Sequence, residues 1–409
     1  MNKYTLDDAI FFTLGLFSFS VVFSVTVVEA ALLATLALFL VKKYRAGSLA
    51  AIRPALTSHP LFMPWLVYLC VCLLTSLTAY YPLKGLGQFN SDFLKYICLF
   101  TLLLTIKREH LPALSRFYIV AATLAAVIGI AQVAQLFPSV YGAASMRANA
   151  LMNAVRYGEV MTIAFMLILS RLVIPAKGML KNEQLFYKLA ALPVFAAIIL
   201  SQTRGACLGL ITGVTVMACF SGSSSKRLMT YAALMVLTGM LTMTVSPAMR
   251  NRMLAMAGKE IPETSAGAPN VAINIRMGLW KLGLKMLQAH PVVGIGPDNV
   301  KKVFIRFQPE QIGYEKTWGS LHNLYIHQAA ERGILGLGAL LLLFWGMFAF
   351  ALGRFKKAKC HYALWAVSAL PAYYVMNLTE ISFQHVHTAF AIFLALAFTA
   401  AATEEPLNG

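Results

Sequence analysis

The sequence predicts an all-α polytopic integral membrane protein, and three observations carry that prediction. Of the 409 residues, 59% are hydrophobic and only 12% charged, too few to coat a soluble protein of this size. Apolar runs of about 18 residues or more recur along the chain, each long enough to cross a hydrocarbon core of about 30 Å. The basic residues between those runs alternate in side. Lys42, Lys43, Arg45 and Arg53 flank one connection, Lys107 and Arg108 a second, and Lys177 and Lys181 a third. Lys226 and Arg227 mark a fourth, and Arg354, Lys356, Lys357 and Lys359 a fifth. All five fall on one side, which the positive-inside rule makes cytoplasmic, together with both termini.

Hydropathy and punctuation give about twelve spans, near 8–22, 25–41, 61–79, 91–106, 114–136, 158–175, 186–201, 205–221, 227–245, 323–352, 361–378 and 385–402. Three regions follow. Residues 1–245 hold transmembrane helices one to nine, 246–322 form a large outer loop, and 323–409 hold helices ten to twelve and a cytoplasmic C-terminus. The first apolar segment runs straight into the second without a cleavable pattern, so it reads as a retained signal anchor. Six cysteines lie within or beside spans and none in the long loop. Inert thiols are expected there, not a disulfide framework.

The outer side carries the 137–157 loop, the short Gln202-Thr203-Arg204 turn and the long loop. Between Asn274 and Ala289 that loop becomes helical and amphipathic, and the helix is expected to lie flat in the outer interface. Ile275, Leu279, Leu282 and Met286 share one face, and Lys281, Lys285 and Gln288 another. Arg276 falls beside Trp280 and Leu287 on the apolar side, where a charge needs a partner.

The formal net charge is +18, more than topology alone explains, and an anionic substrate is one reason for the excess. Four arginines gather at the outer side near membrane depth: Arg147, Arg156, Arg204 and Arg276. A guanidinium is planar, permanently charged and shaped to bind phosphate oxygens with two parallel hydrogen bonds. Such a cluster suits a lipid-linked phosphate or pyrophosphate; singly, each arginine equally suits headgroup anchoring or an internal ion pair.

His322 precedes a helix expected to start near Asn323. There the macrodipole disfavours imidazolium and leaves a ring that can accept a proton from an attacking hydroxyl. Glu331 or a backbone carbonyl is the expected partner fixing its tautomer. Nine residues separate Asn323 from Gly333, and Gly336 follows one turn on. Both glycines are expected to let their helix pack closely on a neighbour. No Asp-x-Asp motif is present, and the outer-loop acids Glu260, Glu263, Asp298, Glu310 and Glu315 are scattered, so no metal and no cofactor is expected. The lack of a Gly-rich P-loop and of Gly-x-Ser-x-Gly argues against cytoplasmic ATP chemistry.

The arrangement His322-Asn323, nine residues, Gly333-Ile334-Leu335-Gly336 resembles the signature of the O-antigen ligase and polymerase family of bacterial envelope biogenesis. The resemblance extends through Ser201-Gln202-Thr203-Arg204-Gly205, Arg276 with Trp280, and His290-Pro291-Val292-Val293-Gly294-Ile295-Gly296. It implies a multi-pass protein of the bacterial inner membrane, resembling GT-C-like lipid-linked glycosyltransferases, with a periplasmic active site in which the 246–322 loop takes part. It further implies a metal-independent inverting glycosyltransferase, an O-antigen ligase, completing lipopolysaccharide. The donor is a glycan on undecaprenyl pyrophosphate, the acceptor is lipid A–core oligosaccharide, and nucleic acid is not among the partners. His322 is then the general base, Arg204 and Arg276 hold the pyrophosphate with Arg147 and Arg156 beside them, and Asn323, Glu331, Gly333 and Gly336 support. A polymerase or a protein-glycosylating ligase of the same family shares this logic. A lipid-linked sugar transporter is the alternative of another class, against which the one-sided placement of the ionisable residues argues.

Overall fold

The computed structural model describes residues 5–139, 147–175, 179–221, 269–308, 310–313 and 315–403. Among these residues the regular structure is helical, apart from one isolated bridge between Ile312 and Glu315. The helices are α1 (Leu6–Ser20), α2 (Val25–Arg45), α3 (Ile52–Thr57), α4 (Phe62–Leu77), α5 (Pro82–Thr105), α6 (Leu111–Val133), α7 (Ala154–Val173), α8 (Lys181–Leu200) and α9 (Arg204–Ser221). They continue with α10 (Pro269–Ala289), α11 (Val300–Phe307), α12 (Leu324–Ala358), α13 (His361–Met376) and α14 (Val386–Thr403).

A helix stands at eleven of the twelve expected spans; the remaining one, 227–245, lies outside the described residues. Among the described residues six helical segments are each long and apolar enough to cross a membrane, and a seventh is added if the helical turns at 49–57 and α4, bent by 90°, count as one span. The chain is thus a multi-pass membrane protein. α14 lies at its centre, with every residue from His387 to Ala401 buried, as befits a helix apolar all round. α7 and α13 flank it and are buried nearly throughout. α9 packs on α13 through Gly205, Gly209 and Gly213, which meet Thr379, Met376, and the Ala372 side chain with the Ser368 carbonyl. Small residues one turn apart let two backbones close up where lipid supplies no hydrophobic drive. That contact sets the start of α9 beside the α13–α14 connection.

α10 departs from its expected setting. Ile275, Leu279, Leu282 and Met286 are buried as the periodicity requires, and Lys281, Lys285 and Gln288 are exposed. The apolar face, however, is taken up by protein, not lipid. It forms a small separate core with Ile295, Val300, Val303, Phe304, Trp318 and Leu321.

The glycines of the signature act differently from expectation. Gly333 is not helical; its φ is 63° and ψ −165°, and it breaks α12 into a short N-terminal piece and a long apolar one. The break admits the 290–296 segment, where Ile334 N–H donates to the Pro291 carbonyl at 2.8 Å. Ile295 N–H reaches the Ala330 carbonyl at 3.0 Å and Gly296 N–H the Glu331 carbonyl at 2.8 Å. A Cβ at Gly333 would overlap the Val292 carbonyl, and one at Gly336 would overlap the Arg332 side chain of the same helix. Gly336 therefore makes room for a buried arginine and does not seat a neighbouring helix. Gly333→Ala places a side chain in the left-handed region at a cost of about 1–3 kcal/mol, before the overlap is counted. A clearly lower unfolding temperature in detergent is the expected result, and an unchanged one would contradict the break.

Candidate active site

His322 sits at the N-terminal end of α12, ahead of Asn323. The Asn323 side chain caps the helix, accepting from Tyr325 N–H at 3.0 Å and Ile326 N–H at 3.1 Å. His322 itself has φ 50°, and its N–H donates to the Ser320 hydroxyl at 3.1 Å. Of the six non-glycine residues with positive φ among those described, Gln135, Ala150, Gln202, Asp298 and His322 lie at this end of the bundle and only Lys359 at the other. Left-handed backbone is costly for side-chain-bearing residues and collects where function needs a fixed geometry.

The residue that organises the site is Glu380, in the α13–α14 connection. Both its carboxylate oxygens lie 3.0 Å from His322 Nδ1, and Arg276 Nη2 approaches Oε1 at 3.3 Å. A carboxylate only accepts, so Nδ1 is the donor in these contacts and Nε2 is turned away from Glu380. The connection is held from several sides. Leu324 N–H is shared between the Asn377 carbonyl at 2.8 Å and the Glu380 carbonyl at 3.1 Å. Phe383 N–H donates to Asn377 Oδ1 at 3.0 Å, and the Ser382 hydroxyl to buried Glu159 on α7 at 2.6 Å. Thus α7, α10, α12 and the α13–α14 connection converge on one carboxylate and one imidazole. Desolvation first, then the nearby Arg156 and Lys95 charges, hold the His385 imidazole well below the ordinary histidine range.

The four arginines all lie at this end, in distinct roles. Arg276 is 28% exposed and pairs with Glu380, the partner its place on α10 demanded. Arg204 is exposed at the first position of α9, with Gly205 against Thr379. Arg156 lies half-buried in the first turn of α7, close enough to act on both Glu159 and His385. Arg147 braces the turn before Arg204, with Nε to the Ser201 carbonyl at 2.8 Å and Nη2 to the Thr203 hydroxyl at 3.1 Å.

Glu331 does not meet His322. Its buried carboxylate accepts Asp298 N–H at 2.8 Å and lies 3.4 Å from His327 and 3.7 Å from Arg332. It belongs to a buried network that sequence reasoning missed. Arg332 donates to Asp92 at 2.6 Å and to Gln328 at 2.9 Å, and Lys95 reaches the other Asp92 oxygen at 3.1 Å. Asp92 and Lys95 fall i, i+3 within the run that forms α5; charges in an apolar run need partners, and that was the available signal. Glu159 and Glu380, acids at the ends of two spans, gave the same signal.

Residues 189–341 match the O-antigen ligase family, a stretch that holds Arg204, Arg276, His322 and the Gly333 break. Arg147, Arg156 and Glu380 lie outside it. A protein of Haemophilus influenzae described as uncharacterized is 26% identical over 151 residues, 35% of this chain and 37% of that protein. The chain therefore matches well under half the length of that relative. Over residues 189–341, less than half of its length, this chain is similar to the O-antigen ligase family.

Proposed function

We propose that the protein is an O-antigen ligase, moving O-antigen glycan from undecaprenyl pyrophosphate to lipid A–core oligosaccharide at the periplasmic face of the inner membrane. The observation that carries this reading is the Glu380 carboxylate, which holds His322 on one side and Arg276 on the other. With Nδ1 fixed by Glu380, His322 Nε2 takes the proton from the acceptor hydroxyl. The hydroxyl oxygen bonds to the anomeric carbon from the face opposite the leaving group. The carbon–oxygen bond to the pyrophosphate breaks, and the pyrophosphate leaves with the electron pair, so the configuration inverts.

Arg204 and Arg276 bind the pyrophosphate and stabilise the charge that develops on it. Arg276 also separates that anion from Glu380; a guanidinium has five N–H donors, enough for both. Arg156 borders the same space, and Arg147 positions Arg204 through the 201–203 turn. On α10, Ile273, Met277 and Leu284 are exposed and fall within about 40° of one another, on the stripe next to Arg276 and Trp280. That stripe suits the polyprenyl chain of the donor. Arginine supplies the positive charge in this scheme, so transfer proceeds in EDTA.

Glu380→Gln keeps the size of the side chain but can present an amide N–H to Nδ1 and so favour the wrong tautomer. We expect turnover to fall by about 10²-fold or more, with the donor KM changed little. A kcat within a factor of two of wild type would contradict the positioning role.

The reading is tested by incubating purified protein, in EDTA, with undecaprenyl-pyrophosphate-linked glycan and rough lipopolysaccharide. A ladder of glycan on lipopolysaccharide supports it. Elongated lipid-linked glycan with untouched lipopolysaccharide moves the protein to the polymerase branch. No transfer, with metal restored and the protein folded, favours a transporter.

A further inference from the structure

At the end of the bundle opposite His322, α6, α7, α8, α13 and α14 enclose a cavity of about 360 Å³. Its polar lining is Arg108, Arg116, Arg171, Glu183, His361 and Tyr362. Three guanidiniums therefore face one carboxylate. Arg171 is 4% exposed and immobilised, its guanidinium 5.3 Å from the Tyr187 ring centroid and 5.6 Å from that of Tyr362. Its Nε donates to the Tyr187 hydroxyl at 3.2 Å and its Nη2 to Glu183 at 3.3 Å. Arg116 approaches the same carboxylate at 3.7 Å from a side chain that is 58% exposed, and Arg108 is exposed. His361 is 8% exposed, and its Nε2 is buried without a hydrogen-bond partner.

A structural lock between α7 and α8 accounts for the Arg171–Glu183–Tyr187 contacts. It does not account for the cavity, for two further arginines at its rim, or for the orphaned imidazole nitrogen. A buried polar atom without a partner in a cavity with surplus positive charge calls for an anion that accepts hydrogen bonds. The neighbouring chain adds the cations Lys107 and Lys181; Lys107 lies 3.5 Å from Asp7 and 3.6 Å from Glu109.

We infer that this cavity binds a phosphate-bearing anion, with an anionic glycerophospholipid headgroup at the membrane surface as its source. Arg108 and Arg116 recruit the headgroup, the Arg171 edge and His361 receive its phosphate, and the acyl chains run out along the bundle. Basic pockets between helices on the Lys/Arg-rich side are suited to such lipids. The site is remote from His322 and does not rest on the glycosyl-transfer reading.

Thermal unfolding of the full chain in neutral detergent tests the inference, with phosphatidylglycerol, phosphatidylcholine or inorganic phosphate added. Wild type and an Arg108→Gln/Arg116→Gln double variant are compared; both arginines are exposed, so the lipid-free unfolding temperature should match. Phosphatidylglycerol is expected to raise the wild-type unfolding temperature by about 2–4 °C, phosphatidylcholine to do less, and the double variant to lose the rise. An equal rise with inorganic phosphate alone, also lost in the variant, supports the phosphate site and assigns it to a soluble anion. An equal rise in the double variant, or none with any of the three in wild type, overturns the inference.

Discussion

Replacing His322 by alanine is expected to slow glycan transfer by about 10²–10⁴-fold, the usual worth of a positioned general base. On the proposed mechanism the loss should fall on kcat, because the imidazole would meet the acceptor hydroxyl only as the new bond forms, whereas donor binding would rest on the arginines. His322→Gln should recover little, since an amide can hydrogen-bond Glu380 but cannot take up a proton at neutral pH. The variant must be shown to fold. His322 is part-exposed and its side chain holds no helix end, a task done by Asn323, so the unfolding temperature should change far less than the rate. Parallel losses in stability and rate would recast His322 as a structural anchor for the Glu380 connection.

Arg332→Met is expected to have the largest effect on stability. Arg332 is fully buried and supplies donors to Asp92 and Gln328 while lying 3.7 Å from Glu331. Removing one member of a buried charged network leaves its partners uncompensated, at about 3–5 kcal/mol. Lys95 still reaches Asp92, but from α5 itself, so the tie between α5 and α12 is lost. Arg332→Lys keeps the charge without the planar fork that spans Asp92 and Gln328, and should fall between the two. Unfolding temperatures in the order wild type, lysine, methionine check the argument; equal values for lysine and methionine would show that charge is irrelevant there.

What the sequence could reveal divides along the range of the interactions. Apolar runs and the alternation of basic residues are local and were sufficient for the helical membrane class. The buried face of α10 followed from spacing alone, and the start of α12 at Asn323 from the local habits of a capping residue. Arg276 could be seen to need a partner, but not which one. Glu380 lies 104 residues from Arg276 and 58 from His322, and it comes into place through α9–α13 packing that no short window encodes. Proximity in sequence pointed instead to Glu331, which the helix turns toward Asp298 and Arg332. The spacing of Gly333 and Gly336 was plain, yet two glycines one turn apart fit a packed helix as well as a broken one. Asp92 and Arg332, 240 residues apart, could be identified only as charges in need of partners.

In the proposed reaction His322, held by Glu380, drives displacement of an intact pyrophosphate carrier. Single-turnover transfer from radiolabelled undecaprenyl-pyrophosphate glycan tests it most directly, with the released carrier and the anomeric configuration of the product both determined. One undecaprenyl pyrophosphate released per glycan transferred is expected, with inversion at the anomeric carbon and neither product at a comparable rate from His322→Ala. Release of the carrier as monophosphate, retention of configuration, or wild-type rates from His322→Ala would contradict it.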